Sequence, residues 1–269
     1  MIIRPSRGWG FPDLREIWEY RELLYFFAWR SIKVRYKQTV IGALWALIQP
    51  FFTMVVFTVI FGILARMPSE GVPYPIFTYT ALVPWTYFAN SITQASRSIV
   101  DNRGIITKVY LPRLIIPAAS VLSELLDFTV AFLLLMGMMM FYSIMPTSAI
   151  LLVPLLILLS MATALGVALW MSALNAIYRD VQYAVPFLVQ IWLFATPVAY
   201  SSRLLPEAWR PMYGINPMVG VIEGFRWALL GSGGGLEPIF TVSIPITLLL
   251  LVTGLLYFRH MEKTFADLV

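Results

Sequence analysis

The amino-acid sequence predicts an all-α integral membrane protein, on three grounds: its composition, its long uncharged segments and the placement of its basic residues. The chain has 269 residues, of which 59% are apolar and 12% are charged, whereas a soluble domain is about a quarter charged. Too few polar side chains exist to cover a water-soluble globule of this size. The composition therefore excludes a soluble enzyme and a soluble nucleic-acid-binding domain.

Six segments are apolar enough to cross a bilayer as helices, which need roughly 20 residues for ~30 Å of hydrocarbon. Transmembrane β-strands would give short alternating segments, and the sequence has no such pattern. The second segment is the weakest because Thr, Asn and Gln dilute it. We predict spans at approximately Val40–Ala65, Ile76–Ser96, Ala119–Tyr142, Ser148–Ala173, Ala184–Tyr200 and Ile239–Phe258.

The arm before the first span, residues 1–38, is basic and contains no long apolar run. Leu14, Trp18, Leu24 and Tyr25 recur at helical spacing with charged residues between them. This pattern predicts an amphipathic helix at the membrane interface; a helix that packs only on a protein partner is the alternative. We expect no cleavable signal peptide, because its apolar stretch would come earlier.

The basic residues are unequally divided between the loops, and cytoplasmic loops hold such an excess. Of the 19 Lys and Arg, 15 lie in the arm, in the loops after spans two and four, and in the tail. We therefore predict cytoplasmic termini, with the arm at 1–38, one six-span domain at 39–259 and a tail at 260–269. The net charge of +5 is mainly a topology signal, with attraction to anionic lipid as a secondary use.

Two loops differ from the short connections elsewhere. The cytoplasmic loop at about 97–117 is half apolar and half basic, which suits a short helix that docks on a cytosolic partner; a solvated connector is the alternative. The external segment at about 201–238 is apolar but interrupted by Pro206, Pro211 and Pro217. These pieces are too short to span, so we predict short re-entrant helices between spans five and six.

The sequence contains no pattern typical of a catalytic or metal site. It has no Walker A motif, no Cys and a single His, His260, so we expect no ATP hydrolysis, metal or cofactor in this chain itself. Glu124 and Asp127 are spaced i, i+3 in span three, where acids indicate a function by default. Here we instead favour a structural ion pair with a basic residue such as Arg97 or Arg113, and a functional role is the alternative.

Three spans carry polar and aromatic stripes that suit a passage for sugars. Aromatic rings stack on the apolar faces of pyranoses, and amides exchange hydrogen bonds with hydroxyl groups. Ordinary helix packing is the alternative, as is an aromatic belt at the interface. The stripes consist of Trp45, Gln49 and Phe52 in span one, Tyr87, Asn90 and Gln94 in span two, and Tyr183, Phe187, Gln190 and Phe194 in span five.

Several segments, in order along the chain, resemble type-2 ABC exporter permeases of the polysaccharide branch, which export O-antigen, capsule or teichoic acid. The segments are Lys33–Pro50, Lys108–Arg113, Asn175–Val181, Thr196–Tyr200, Asn216–Met218 and Glu223–Arg226. Their joint order is more specific than any one of them. The resemblance implies the transmembrane subunit of an ATP-driven exporter that moves a lipid-linked polysaccharide across the cell (inner) membrane.

The resemblance also implies partners: a second copy of the chain, two separate ATPase subunits that bind ATP and Mg, and a polyprenyl-diphosphate-linked glycan. Nucleic acid is not among them. It further implies that spans one and five line the path and that the re-entrant helices lie at about Leu204–Leu230. The cytoplasmic loop would couple to the ATPase through Arg103, Lys108, Tyr110, Leu111, Pro112 and Arg113.

Four basic residues just before span one are suited to receive the diphosphate, because Arg and Lys pair with phosphate oxygens. They are Arg30, Lys33, Arg35 and Lys37. The simpler interpretation is that they anchor the arm on the cytoplasmic side.

Other functions stay open at this point. A drug or small-lipid exporter would share the fold with a narrower passage. A polyprenyl-dependent membrane transferase would need clustered Asp or His for metal and acid–base chemistry, and the chain has no Asp-x-Asp motif and one His. The pattern also allows a purely structural membrane subunit.

Overall fold

The computed structural model describes residues 18–37, 42–108, 111–232, 237–262 and 265. Within these ranges the chain is helical and has no β-strand, which confirms the predicted all-α class. Among the described residues, four helical segments are long and apolar enough to cross a membrane: Trp45–Leu64, Ile115–Phe141, Ser148–Ile177 and Pro238–Met261. They coincide with the predicted spans one, three, four and six.

The α-helices in chain order are α1 (Arg21–Tyr36), α2 (Trp45–Phe57), α3 (Tyr74–Asp101), α4 (Arg103–Ile106), α5 (Ile115–Phe141), α6 (Val153–Ile177), α7 (Val181–Phe194), α8 (Arg210–Tyr213), α9 (Pro217–Leu230) and α10 (Glu237–Met261). A π-helical segment, Thr58–Leu64, extends α2. Short 3-10 turns lie at Gly42–Leu44, Ser148–Leu152, Ser202–Leu204 and Glu207–Trp209.

The central helix of the bundle is α3, which covers the weakest predicted span. It packs on α2, α5, α6, α7 and α9, and Thr78, Tyr79 and Thr80 are fully buried. The Thr80 hydroxyl donates to the Ile76 carbonyl at 2.8 Å, so part of this polarity is satisfied within the helix. Because protein rather than lipid surrounds α3, its side chains do not need the apolarity of the outer helices.

Two helices of 14 residues, α7 and α9, rise about 21 Å each, less than the ~30 Å of a bilayer core. α7 ends at Phe194, six residues before the predicted end of span five at Tyr200. α9 is buried along almost its whole length against α3, α6 and α10. Asn216 caps its N-terminus, where the side chain accepts from the Met218 N–H at 3.2 Å, and Gly231, with φ +67°, caps its C-terminus.

α1 packs on α5 and covers the second of two apolar cores. The main core surrounds α3. The second, which we call the arm-end core, joins Phe27 of α1 to Ile106, Leu111, Phe258 and Phe265. Tyr25 of α1 and Trp18, which precedes α1, are each 70% exposed; Leu14, the first member of the predicted amphipathic stripe, lies outside the described residues.

Candidate transport site

Residues of three helices meet around a cleft between α2, α3 and α5. Its empty volume, including the open mouth, is about 310 Å³. Four of the predicted path residues line it, and so do the two acids of span three: Trp45, Gln49, Tyr87, Asn90, Glu124 and Asp127. The structure therefore brings together the predicted stripes of spans one and two.

The stripe on α2 lies on the surface of the single chain. Trp45 and Phe52 are 56% and 60% exposed, and Gln49 is exposed between them. On α3, Asn90 is half-buried and Gln94 is exposed. These side chains are accessible to a ligand or to a second protein surface.

Tyr87 differs from the rest of its stripe because it is buried, with 3% of its surface exposed. Its hydroxyl donates to the Val121 carbonyl at 3.4 Å, and its ring meets Phe128 edge-on at 5.8 Å between centroids. Tyr87 thus forms part of the cleft wall and packs against α5.

The side chains of the stripe on α7 are exposed as well, but they do not line this cleft. Tyr183, Phe187 and Phe194 are 72%, 63% and 58% exposed, and Gln190 is exposed. α2 and α7 both pack on α3. A single chain therefore presents two separate aromatic faces, one from each helix.

Beside the cleft, an ion-pair cluster joins α1 to α5. The Arg35 guanidinium donates to Glu124 Oε1 and, at 2.7 Å, to Asp127 Oδ2. The Tyr36 hydroxyl donates to Asp127 Oδ1, and burial together with this hydrogen bond raises the pKa of the Tyr36 phenol above its ordinary value. The Glu124 side chain is 1% exposed and that of Arg35 is 26% exposed.

The predicted pairing of the two acids is confirmed, but the partners named for them are wrong. Arg97 donates instead to the Gln182 carbonyl at 3.0 Å, and Arg113 contacts Glu262. The correct partner lies on α1, 89 positions before Glu124. It reaches the acids because α1 folds back along α5, which no local spacing in the sequence indicates.

The four basic residues before span one do not act as one group. Arg35 is compensated by two carboxylates. The Arg30 guanidinium donates to Asn102 Oδ1 at 3.0 Å, and the Lys33 ammonium lies over the Trp29 ring, 5.5 Å from its centroid. Arg30, Lys33 and Lys37 are exposed, so these three keep an accessible charge.

The predicted coupling loop has an exposed part and a buried part. Arg103, in the four-residue helix α4, and Lys108 are exposed, whereas Leu111 and Pro112 are buried. Tyr110 lies outside the described residues. The accessible surface of the described loop is thus its first half.

Arg113, the last predicted coupling residue, is held by the end of the chain. Its backbone N–H donates to Glu262 Oε1 at 3.2 Å, and its guanidinium donates to the Glu262 carbonyl. Arg113 therefore contacts the segment after α10, and no local pattern in the sequence indicates this contact.

A second buried charge cluster, which is not among the sequence-based predictions, lies at the other end of α3. Arg226 of α9 is fully buried and pairs with Glu223 at 3.0 Å. Its guanidinium donates to the carbonyls of Val198 at 2.9 Å and Tyr200 at 3.2 Å, and lies 3.7 Å from the centroid of Phe77. The available signal was the i, i+3 spacing of the two charges.

Acidic and His side chains do not cluster in the part of the chain that the structure describes: no group of three or more His, Asp or Glu there could hold a metal ion. The chemistry that the residues offer is hydrogen bonding, aromatic stacking and charge pairing.

Comparison with known proteins agrees with the resemblance seen in the sequence. The O-antigen export system permease protein RfbA of Myxococcus xanthus is 32% identical over 216 residues, which are 79% of this chain and 82% of that protein. An RfbA of Klebsiella pneumoniae is 28% identical over 250 residues, 92% and 95% of the two chains. The polysialic acid transport protein KpsM of Escherichia coli is 22% identical over 235 residues, 87% and 91%. A family model described as ABC-2 type transporter matches residues 22–230, most of the chain, so the protein belongs to the ABC-2 type transporter family.

Proposed function

We propose that this chain is the transmembrane subunit of an ATP-driven exporter that moves a lipid-linked polysaccharide from the cytoplasmic side across the cell membrane. The observation that carries the proposal is the nearly full-length similarity to permeases named for O-antigen export and polysialic acid transport. The exposed aromatic and amide side chains of α2 and α7 suit a sugar chain, because they offer many weak and similar contacts.

In the proposed topology, α2, α3, α5, α6, α7 and α10 form six spans and both termini are cytoplasmic. The low apolarity of α3 is compatible with a span because protein surrounds it. α9 would form the re-entrant segment on the outer side, since it is buried and too short to cross. α1 would lie at the membrane interface with its exposed aromatic residues toward the headgroups.

Two copies of the chain would form the passage. Each copy leaves the stripes of α2 and α7 on its surface, and a second copy would turn those faces toward an enclosed seam. Trp45, Gln49, Phe52, Asn90 and Gln94 are proposed to contact the glycan from one side of this seam. Tyr183, Phe187, Gln190 and Phe194 are proposed to contact it from the other.

The energy would come from two separate ATPase subunits that bind ATP and Mg. Arg103 and Lys108 are exposed beside α4 and are the described residues proposed to contact them. At the same end of the bundle, Arg30, Lys33 and Lys37 would attract the diphosphate of the carrier lipid. Arg35, whose charge is already paired, would serve mainly to fix α1 on α5.

The test is export of surface polysaccharide in a strain that lacks this chain. We expect the glycan to accumulate inside the cell on its lipid carrier, and the full-length chain to restore export. The full-length chain should fail to restore export when the Walker A lysine of the cell's partner ATPase is replaced. Normal surface polysaccharide in the deletion strain, with altered drug sensitivity instead, would contradict the proposal and favour a drug exporter.

A further inference from the structure

The end of the chain lies directly against the loop that precedes α5. Glu262 follows the last residue of α10, and its carboxylate and carbonyl both accept hydrogen bonds from Arg113. The two residues are 149 positions apart. The contact therefore joins two segments that have no connection in sequence.

Glu262 is itself fixed in orientation. Its second carboxylate oxygen, Oε2, pairs with Arg259 one turn earlier, at 3.1 Å. One carboxylate thus connects a guanidinium of α10 to the backbone of the loop, and its side chain is only 18% exposed. Such a charge-assisted hydrogen bond is stronger than one between neutral groups.

Phe265 adds an apolar part to the same contact. It is fully buried, its ring lies 5.3 Å from that of Phe258 between centroids, and the Arg113 guanidinium carbon is 6.0 Å from its centroid. Leu111 belongs to the same arm-end core. The loop is therefore anchored at its Arg113 end, while Arg103 and Lys108 stay exposed.

We propose that Glu262 and Phe265 are positioning residues, which hold the coupling loop in the orientation that the ATPase subunit contacts. This inference rests on the coupling role proposed above. Arg113 lies two residues before α5, and Glu262 lies one residue after α10. A displacement of the loop would thereby move α5 and α10 together. The segment after α10 would thus help to couple the ATPase to the membrane helices.

The contact itself is tested by limited trypsin digestion of the purified full-length chain. In the unmodified protein, cleavage after the exposed Arg103 should be faster than cleavage after Arg113. Glu262→Ala should raise cleavage after Arg113, relative to Arg103, by roughly a factor of ten, the value of one charge-assisted hydrogen bond. Arg259→Ala, which leaves both acceptors for Arg113 in place, is the matched control and should change the ratio much less.

The role in coupling is tested in vesicles that contain the complete complex, by the amount of glycan exported per ATP hydrolysed. Glu262→Ala should assemble with the ATPase and hydrolyse ATP, but its export per ATP should fall by roughly a factor of five to ten. Glu262→Gln keeps an acceptor for the Arg113 N–H and should recover most of the loss. A merely structural role would lower the amount of complex and leave this ratio unchanged.

The two proposals fail in different ways. If the unmodified chain binds no ATPase, the proposed function is wrong whatever the variants do. If the unmodified complex is coupled, and Glu262→Ala and Phe265→Ala keep the same export per ATP, the positioning role is overturned. Should Glu262→Ala not accumulate in membranes, Glu262→Gln and Phe265→Ala are measured in the same way, with the same two readings.

Discussion

Arginines at the two ends of the bundle pair with carboxylates in different ways. Arg226 pairs with Glu223 of its own helix and is fully buried. Arg35 of α1 pairs with Glu124 and Asp127 of α5, and its side chain is 26% exposed. The first pair moves with one helix. The second holds only while two helices keep their relative position.

The surroundings of the two pairs extend this contrast. Arg226 also donates to main-chain carbonyls of the segment before α8, which offsets part of the cost of burying its charge. The partners of Arg35 line the cleft between α2, α3 and α5. A displacement of α1 from α5 would break the Arg35 pairs at the edge of this cleft and leave the Arg226 pair unchanged.

Replacing Arg226 should give the largest effect. Arg226→Ala leaves Glu223 buried and unpaired, so we expect a loss of about 3–5 kcal/mol in the free energy of unfolding and little protein in the membrane. Thermal unfolding of the purified chain and its membrane yield are the measurements.

The matched control for Arg226 is Arg210→Ala. Arg210 pairs with Glu207 at 3.7 Å, and the Glu207 side chain is 90% exposed, so the loss of this pair should cost no more than about 1 kcal/mol. Equal destabilisation by the two variants would show that burial does not separate these arginines.

Replacing Arg35 should destabilise the protein less than replacing Arg226. Arg35→Ala leaves Glu124 unpaired. Because the Arg35 side chain is 26% exposed, its removal would let water reach this carboxylate, so we expect a loss of about 2 kcal/mol. Adding Glu124→Gln removes the buried charge and should recover part of this loss in a double-mutant cycle. Thermal unfolding of the two single variants and the double variant is the measurement, and additive effects would contradict direct pairing of Arg35 with Glu124.

Replacing a residue of the cleft beside the Arg35 pair should lower transport with little effect on stability. Trp45→Ala removes an exposed ring, so we expect export to fall roughly three- to tenfold while unfolding changes by less than about 0.5 kcal/mol. Surface glycan is measured at equal membrane levels of the protein. Leu155→Ala, at a position 62% exposed that does not line the cleft, is the control and should export normally.

The smallest effect is expected from the accessible charges of the arm. Lys33→Glu and Lys37→Glu leave the Arg35 pairs intact, and we expect export to fall roughly two- to threefold and to become less sensitive to salt. Arg21→Glu, at the opposite end of α1, controls for the change in net charge. Normal export by the two Lys variants, with unchanged insertion, would leave anchoring as their role.

Properties local to the chain could be predicted from the sequence, and contacts between distant residues could not. The long apolar runs predict α2 together with its π-helical extension, α5, α6 and α10 to within about five residues at each end, because apolarity and length are read directly. The spacing of Glu124 and Asp127 indicated an ion pair, but not that Arg35 completes it. The sequence predicts Leu111 as part of the loop, but not its burial in a core that also contains Phe265, 154 positions later.

The position of α3 has a consequence for biogenesis. The insertion machinery sorts segments by their apolarity, and α3 carries buried Thr and Tyr side chains where its neighbours carry Leu and Ile. In the proposed six-span topology, α3 therefore has a weak drive of its own to partition into lipid. We expect α3 to stay next to α2 until α5 and α6 have been synthesised and enclose it. The order in which the helices are synthesised would then contribute to correct folding.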